Sequence, residues 1–273
     1  MPLYQAVVLA VVQGLTEFLP ISSTAHLVLF PWLFDWKDPG LTFDVALHAG
    51  TLVAVLLYFW RLWIKMLLAA VGQGDSNDPK VLQDRRLFWF LVIGTIPGGV
   101  AGYFFEHAAE DQFRTPVVIG AAMIVVGILM WAAERPKASK PGLDQVSLMD
   151  SILVGTAQAF AVIPGVSRSG ITMTGGLFRG MDRETTARFS FLLSTPLIAG
   201  AVLKKGLEIR HEGLAPDMRL PFVVGVIVSG LVGYLVIAIL IRYLELRTFK
   251  IFVVYRLALG VIVLALGWGL RHW

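Results

Sequence analysis

Six stretches of this chain, near residues 42–64, 87–106, 115–133, 186–203, 220–241 and 250–270, are long and apolar enough to cross a bilayer core of roughly 30 Å. Backbone at that depth must satisfy its own hydrogen bonds, so each stretch reads as a helix. The surrounding composition agrees. Of 273 residues, 56% are hydrophobic, against about 45–50% apolar usage in soluble domains. Mean hydropathy is +0.73, and the 15% of residues that are charged fall mostly between the apolar runs. An integral membrane protein follows, and the net charge of +4 suits an anionic leaflet rather than nucleic acid. The absence of cysteine excludes disulfides, zinc thiolates and a cysteine nucleophile. No basic region precedes the first apolar stretch, so no cleaved signal peptide is expected.

Two further apolar segments, about 3–34 and 150–180, are interrupted by polar, proline-broken motifs. The first reads Gln13-Gly-Leu-Thr-Glu17-Phe-Leu-Pro20-Ile-Ser22-Ser23-Thr24-Ala25-His26. The second reads Gly155-Thr-Ala-Gln158-Ala-Phe-Ala-Val-Ile-Pro164-Gly165-Val-Ser167-Arg168-Ser169-Gly170. A proline in mid-segment followed by hydroxyls reads as a helix-loop-helix that dips into the membrane and returns. Such backbone is tolerated only where protein or a water-filled cavity surrounds it. Paired interruptions at matching places in two halves point to a binding site at a repeat interface.

The halves match beyond these motifs. Gly14 and Glu17 match Gly155 and Gln158; Phe43 to Leu47 matches Phe189 to Leu193; Gly94 to Tyr103 matches Gly225 to Tyr234. The expected organisation is one membrane domain over residues 1–273, with repeat halves 1–135 and 148–273 and a linker at 136–147. The linker lies in the hydrophilic stretch that starts at Glu134. One re-entrant pair plus three spans is an odd number of crossings, so the halves should be inverted. That expectation divides the basic residues between two faces. Arg61, Lys65, Lys80, Arg85, Arg86, Arg135, Lys137, Lys140, Arg179, Arg183, Arg242, Arg247 and Lys250 fall on one. Lys37, Arg114, Lys204, Lys205, Arg210, Arg219 and Arg271 fall on the other. Thirteen against seven makes the first face cytoplasmic and turns both termini and the mouth of the first re-entrant segment outward.

The motifs collect groups that can do chemistry. Gln13 and Glu17 share a helix face, as do Ser22 and His26 beyond Pro20. Ser22, Ser23 or Thr24 is a natural cap for the helix that continues through His26. In the second motif Ser167-Arg168-Ser169-Gly170 opens another half-helix. Two helix N-termini with an arginine able to grip oxygens bidentately suit a diphosphate. A carboxylate and an imidazole offer proton transfer or metal binding, and a hydroxyl offers a nucleophile. Plainer roles compete: hydroxyls after a proline often cap or back-bond, and an arginine near a span often anchors at the interface. Glu17 is harder to set aside, because an ionisable group inside a membrane segment marks function by default. His48, on the face of Asp44, is either a site residue or a structural hydrogen bond, and the second reading is favoured. Gly94, Gly98 and Gly102 read as helix-packing contacts, with Gly175 and Gly176 also serving close packing.

With both motifs present in order, the sequence resembles the undecaprenyl-diphosphate phosphatases linked to bacitracin resistance. The resemblance covers essentially the whole chain, including Arg188 to Pro196. It implies six spans, two re-entrant helix pairs in an inverted repeat, and an outward-facing site in the bacterial inner membrane. It also implies removal of one phosphate from undecaprenyl diphosphate to regenerate the carrier for peptidoglycan synthesis. Carried over by position, Glu17 falls on an acidic catalytic residue, Ser23 on the proposed nucleophile, His26 on the histidine and Arg168 on the arginine of the Ser-Arg-Ser triplet. Ser22, Thr24, Gln158, Gly165, Ser167 and Ser169 are the expected substrate-binding groups. Gln13 stands where Glu is often found, and Ala25 where Gly is often found. Gln cannot be a base, which speaks against a mechanism needing two carboxylates.

The expected chemistry is therefore attack by Ser23 on the terminal phosphorus, with Glu17 or His26 taking its proton. Ser22, Thr24 or water remain alternative attackers. A divalent cation, Mg²⁺ or Ca²⁺, is implied by the family, with Glu17 and the Gln13 carbonyl as its candidate ligands. The expected partners are the polyprenyl diphosphate and the bilayer, with no nucleic acid; a homodimer stays open. The rival class is a lipid flippase using the same headgroup cradle, since broken helices in inverted repeats are typical of carriers. Moving an anion requires no nucleophile, which separates the two. The other membrane lipid-phosphatase superfamily needs motifs that do not occur here as a set.

Overall fold

The computed structural model describes residues 1–111, 113–134 and 140–269. Among these the fold is all helical. In chain order the helices are α1 Leu3–Phe18, α2 Ser23–Leu33, α3 Leu41–Tyr58, α4 Trp60–Ala70, α5 Pro79–Asp111 and α6 Pro116–Ala133. They continue as α7 Leu148–Ala159, α8 Arg168–Phe178, α9 Arg183–Glu212, α10 Pro216–Leu246 and α11 Lys250–Gly269. Six of them, α3, α5, α6, α9, α10 and α11, hold stretches long and apolar enough to cross a membrane. Their outer faces carry large exposed apolar side chains, such as Leu231, Ile239 and Val254, the surface that hydrocarbon tolerates.

The first span is shorter than expected. It stops at Tyr58, and α4 starts afresh at Trp60 after a non-helical Phe59. The physical reason lies in α4 itself. Arg61 and Lys65 are exposed while Met66 and Ala69 are buried, so the helix is amphipathic and packs against α5.

Both proline motifs break the chain between two helices. Pro20 disfavours helical backbone at the residue before it, and Leu19 is extended at φ −69°, ψ 139°. Ser22 then adopts φ 76° and caps α2, its hydroxyl accepting from the Ala25 N–H at 3.4 Å. The second break follows a single 3₁₀ turn, Phe160–Val162, and runs through Pro164 and Gly165. Ser167 adopts φ 69° and caps α8, accepting from the Gly170 N–H at 3.0 Å. Positive φ in a non-glycine residue costs on the order of 1–3 kcal/mol, and it persists only where surroundings enforce it. Among the described residues, only Asp35 shares it with these two serines.

Helix pairings recur between the two stretches of chain. α1 lies on α10 and α7 on α5; α3 packs on α10, α9 on α5, and α6 on α11. At the α5–α7 crossing the backbones touch. A Cβ on Gly155 would run into the Gly94 carbonyl, and the Ser151 hydroxyl donates to the Phe90 carbonyl. Gly98 faces Gln158 closely, whereas a Cβ on Gly102 would meet nothing within 4 Å among the described residues, and Gly102 lines a cavity instead. The expected packing role fits the first two glycines and not the third. Gly176 faces Thr186 closely, and Gly175 makes only ordinary contacts.

Of the hydrophilic linker, residues 135–139 lie outside the described residues, while Lys140 to Ser147 dock on the ends of α7, α8 and α9. The Lys140 N–H donates to the Gly180 carbonyl at 2.6 Å, and its Nζ reaches Asp150 Oδ2 at 2.9 Å.

Candidate active site

The two breaks meet over one carboxylate. Glu17, in the last turn of α1, is 5% exposed. Ser23 opens α2, and its hydroxyl donates to Glu17 Oε2 at 2.6 Å. Arg168 opens α8, and its Nη2 donates to Glu17 Oε1. Because each residue directly follows a cap serine, the same local turn aims a hydroxyl from one break and a guanidinium from the other. Gln13, one turn earlier in α1, donates from Nε2 to Glu17 Oε2 at 3.0 Å, leaving its Oε1 buried without a partner. The expected helix face of Gln13 and Glu17 is present.

His48 completes the ring. Its Nδ1 donates to the Asp44 carbonyl at 2.7 Å, and its Nε2 lies 3.4 Å from Glu17 Oε2. The structural hydrogen bond expected of it exists, but the other nitrogen faces the carboxylate. Arg168 is steadied from the far side, its Nη1 donating to the Ser194 carbonyl of α9 at 3.3 Å. A buried ion pair is tolerable only when its remaining polar atoms are also satisfied, and here the hydroxyl, amide and carbonyl do that.

His26 is placed elsewhere. Its Nδ1 donates to the Ser22 carbonyl at 2.6 Å, so a neutral ring accepts at Nε2 from the Tyr255 hydroxyl, also at 2.6 Å. Neither nitrogen points at Glu17 or Ser23. His26 braces the first break against α11.

A cavity of about 590 Å³ opens above this cluster. Glu17, Ser23, Thr24, His48, Gln158, Ser167 and Arg168 all line it. Both amide atoms of Gln158 are buried and have no partner among the described residues, which is costly unless a ligand or water in the cavity supplies one. Of the other expected binding groups, Ser22 is committed to its cap. Ser169 donates to the Leu19 carbonyl at 3.1 Å, and the Gly165 carbonyl is held by Arg256. These three shape the breaks rather than the cavity wall. The same wall carries Arg114, Lys204 and Lys205, with Arg114 3.2 Å from Asp44. Cationic groups lining a cavity raise the local concentration of anionic ligands. Much of the remaining wall is apolar, including Leu27, Leu41, Val45, Ile163 and Ile198.

Among the described residues no three His, Cys, Asp or Glu side chains gather as a metal cage. The donors still fit a hard cation of the Mg²⁺ or Ca²⁺ kind, which binds through one or two protein oxygens plus phosphate and water. The buried, unpartnered Oε1 of Gln13 beside Glu17 is such an oxygen.

The sequence alone does not single out Arg114, Lys205 or Arg256 as site groups, and it favours the structural role over a site role for His48. For His48 a signal existed, since an imidazole one turn from an aspartate inside a span is itself unusual.

Comparison with known proteins agrees over nearly the full length. The family described as bacitracin resistance protein BacA matches residues 6–262. A protein named undecaprenyl-diphosphatase from Moorella thermoacetica is 50% identical over 269 residues, covering 98% of this chain and 99% of that protein. Its namesake from Pelotomaculum thermopropionicum is 50% identical over 267 residues, covering 98% and 97%. The protein of that name from Gemmatimonas aurantiaca is 46% identical over 266 residues, covering 97% and 98%. This chain belongs to the bacitracin resistance protein BacA family.

Proposed function

We propose that the protein is a multi-pass membrane hydrolase that removes the terminal phosphate of undecaprenyl diphosphate, regenerating undecaprenyl phosphate for cell-wall synthesis. The observation that carries this reading is the Ser23 hydroxyl held on Glu17 at 2.6 Å within a cavity that Arg168 also lines. A hydroxyl bonded to a buried carboxylate is a nucleophile with its base in place. A lipid flippase has no use for that pair and is not favoured.

In this mechanism the diphosphate enters past Arg114, Lys204 and Lys205, and the isoprenoid follows the apolar wall. Arg168 spends one N–H on Glu17 and one on the Ser194 carbonyl. A guanidinium has five, so others are available to phosphate oxygens. Gln158 donates to an oxygen from the second break, and the first turns of α2 and α8 add their N–H dipoles. Ser23 Oγ attacks the terminal phosphorus as its proton passes to Glu17. The new Oγ–P bond forms while the bond to the bridging oxygen breaks, releasing the lipid monophosphate. Water then cleaves the phosphoserine, and the serine regains its proton from Glu17. Arg168 and the helix dipoles stabilise the charge that builds on the phosphoryl oxygens. His48 keeps Glu17 oriented toward Ser23, and His26 acts by bracing the break that carries Ser23. A divalent cation, held by Glu17 and Gln13 Oε1, would neutralise phosphate charge.

The remaining organisation follows from the same reading. The halves 1–135 and 148–273 form an inverted repeat joined by 136–147, with α1–α2 and α7–α8 as re-entrant pairs. The recurring helix pairings and the two serine caps support it. The cavity wall carries Arg114, Lys204 and Lys205, all from the basic group assigned outward, so the site faces the periplasmic side of the inner membrane. Every residue invoked comes from one chain, and no second copy is required. The test is inorganic phosphate release from undecaprenyl diphosphate by purified protein in detergent, where no gradient exists. Turnover supports the reading; none with Mg²⁺, Ca²⁺ or neither overturns it.

A further inference from the structure

An arginine that none of the chemistry above uses sits at the centre of the molecule. Arg256, from α11, is fully buried, and among the described residues no carboxylate is its partner. Its hydrogen bonds go to carbonyl oxygens. Nη1 donates to Pro20 at 3.0 Å, Nη2 to Gly165 at 2.8 Å and Val166 at 3.0 Å, and Nε to Met123 of α6 at 3.2 Å. Pro20 belongs to the first break, and Gly165 and Val166 belong to the second. Carbonyls in a chain break have no helical partner, and at membrane depth water does not reliably replace one.

We propose that Arg256 is a positioning residue for the reaction. One guanidinium clasps both breaks and thereby holds Ser23 and Arg168 in register on Glu17. The inference rests on the hydrolase reading and extends it to α11. Three features argue for a clasp rather than a local plug. A buried unpaired charge is costly, so neutral donors would serve if the carbonyls only needed satisfying. A planar fork can meet acceptors on separate segments with fixed mutual geometry, which a lysine cannot. Finally, Pro20 lies three residues before Ser23, and Val166 lies two before Arg168, so the clasp acts immediately upstream of both reactive groups. Gly170 makes room for it, since a Cβ there would approach Nη1 to 2.9 Å. The neighbouring Tyr255 holds His26, so α11 grips the first break at a second point.

The experiment compares wild type, Arg256→Met and Arg256→Lys in detergent. It records kcat and KM for undecaprenyl diphosphate alongside thermal unfolding and size exclusion. The expected result is a kcat lower by about 100-fold in Arg256→Met, about 2.7 kcal/mol, because small misplacements of reacting groups cost that much. KM should stay within about threefold. Arg256→Lys, which keeps the charge but not the fork, should recover part of the loss. In an Arg168→Lys background, Arg256→Met should cost less than in wild type, because the register it protects is already impaired. Folded variants with kcat near wild type overturn the proposal. So does a loss that merely follows the folded fraction, or additivity with Arg168→Lys. If Arg256→Met does not fold, Arg256→Lys decides alone: wild-type kcat overturns the clasp, and a reduced kcat at unchanged KM supports it. A wild type that releases no phosphate overturns the hydrolase reading, and the clasp falls with it.

Discussion

The two chain breaks share one design and differ in what they present. Each is a proline, a serine at positive φ capping the next helix, and a functional side chain directly after that serine. The first break presents the Ser23 hydroxyl and the second presents Arg168, and both reach the same carboxylate. Matching positions diverge in the same sense one turn before the breaks. Glu17 is satisfied by Ser23, Gln13, His48 and Arg168, whereas Gln158, at the matching position, has no partner for either amide atom among the described residues. Likewise His48 on α3 faces Glu17 through its side chain, while its counterpart Ser194 on α9 holds Arg168 through its carbonyl. On the proposed reading the first break holds a proton and a nucleophile, and the second holds an anion. At matching sequence positions the two breaks thus present unlike groups to one cavity.

Removing the divergence at Glu17 should have the largest effect. Glu17→Gln makes the halves alike at that position and deprives Ser23 of its base. The account expects kcat/KM to fall about 10²–10⁴-fold, the usual range for a general base, in protein that still elutes as a folded species. A loss smaller than tenfold would mean that Glu17 only holds Arg168 in place.

The converse change on the anion-holding side is milder. Gln158→Leu removes cavity-facing amide atoms that have no protein partner among the described residues. It should raise KM about tenfold, in line with one hydrogen bond to a charged group at about 1.5–3 kcal/mol, with kcat little changed. Steady-state kinetics separates this from a kcat effect, which would instead assign Gln158 to the reacting centre.

The smallest effect concerns how the two segments are anchored. Asp150, near the start of α7, matches Leu9 of α1, which packs in an apolar cluster with Phe43 and Leu47. Burial acts to raise the Asp150 pKa. The Ser147 N–H and the cations of Lys140 and Arg179 outweigh it and hold the carboxyl down at about 2. A depressed pKa contributes stability that is present above the unfolded value near 3.9 and lost as pH falls from there toward 2. Wild type should therefore unfold at a higher temperature than Asp150→Asn near pH 7, with the gap closing below about pH 4. Hydrogen exchange should show the acid effect in α7 and α8 and not in α1 and α2. An equal response in both would remove the distinction.

The long apolar runs made the six spans legible, because hydrocarbon leaves a backbone little choice. The breaks were legible because proline and serine act locally. Long-range side-chain direction was not. His26 shares a face with Ser22, as its spacing implies, yet it turns to Tyr255, 229 positions away. His48 reaches Glu17 because of how α3 packs beside α1, and no local spacing carries that information. Arg256 is an isolated basic residue six positions into an apolar helix that starts at Lys250, and only the fold brings Pro20 and Gly165 to it. The end of the first span was misplaced because Trp60 and Leu62 continue the apolar count, while the helix itself turns at Phe59.

The central claim is that Ser23 from one break and Arg168 from the other act on one phosphate. It is tested most directly by phosphate release from undecaprenyl diphosphate with Ser23→Ala, Arg168→Ala, Ser22→Ala and Thr24→Ala, each checked for folding. The account predicts losses of at least about 10³-fold for Ser23→Ala and Arg168→Ala and much smaller ones for the other two. Near-normal turnover by folded Ser23→Ala or Arg168→Ala would contradict it.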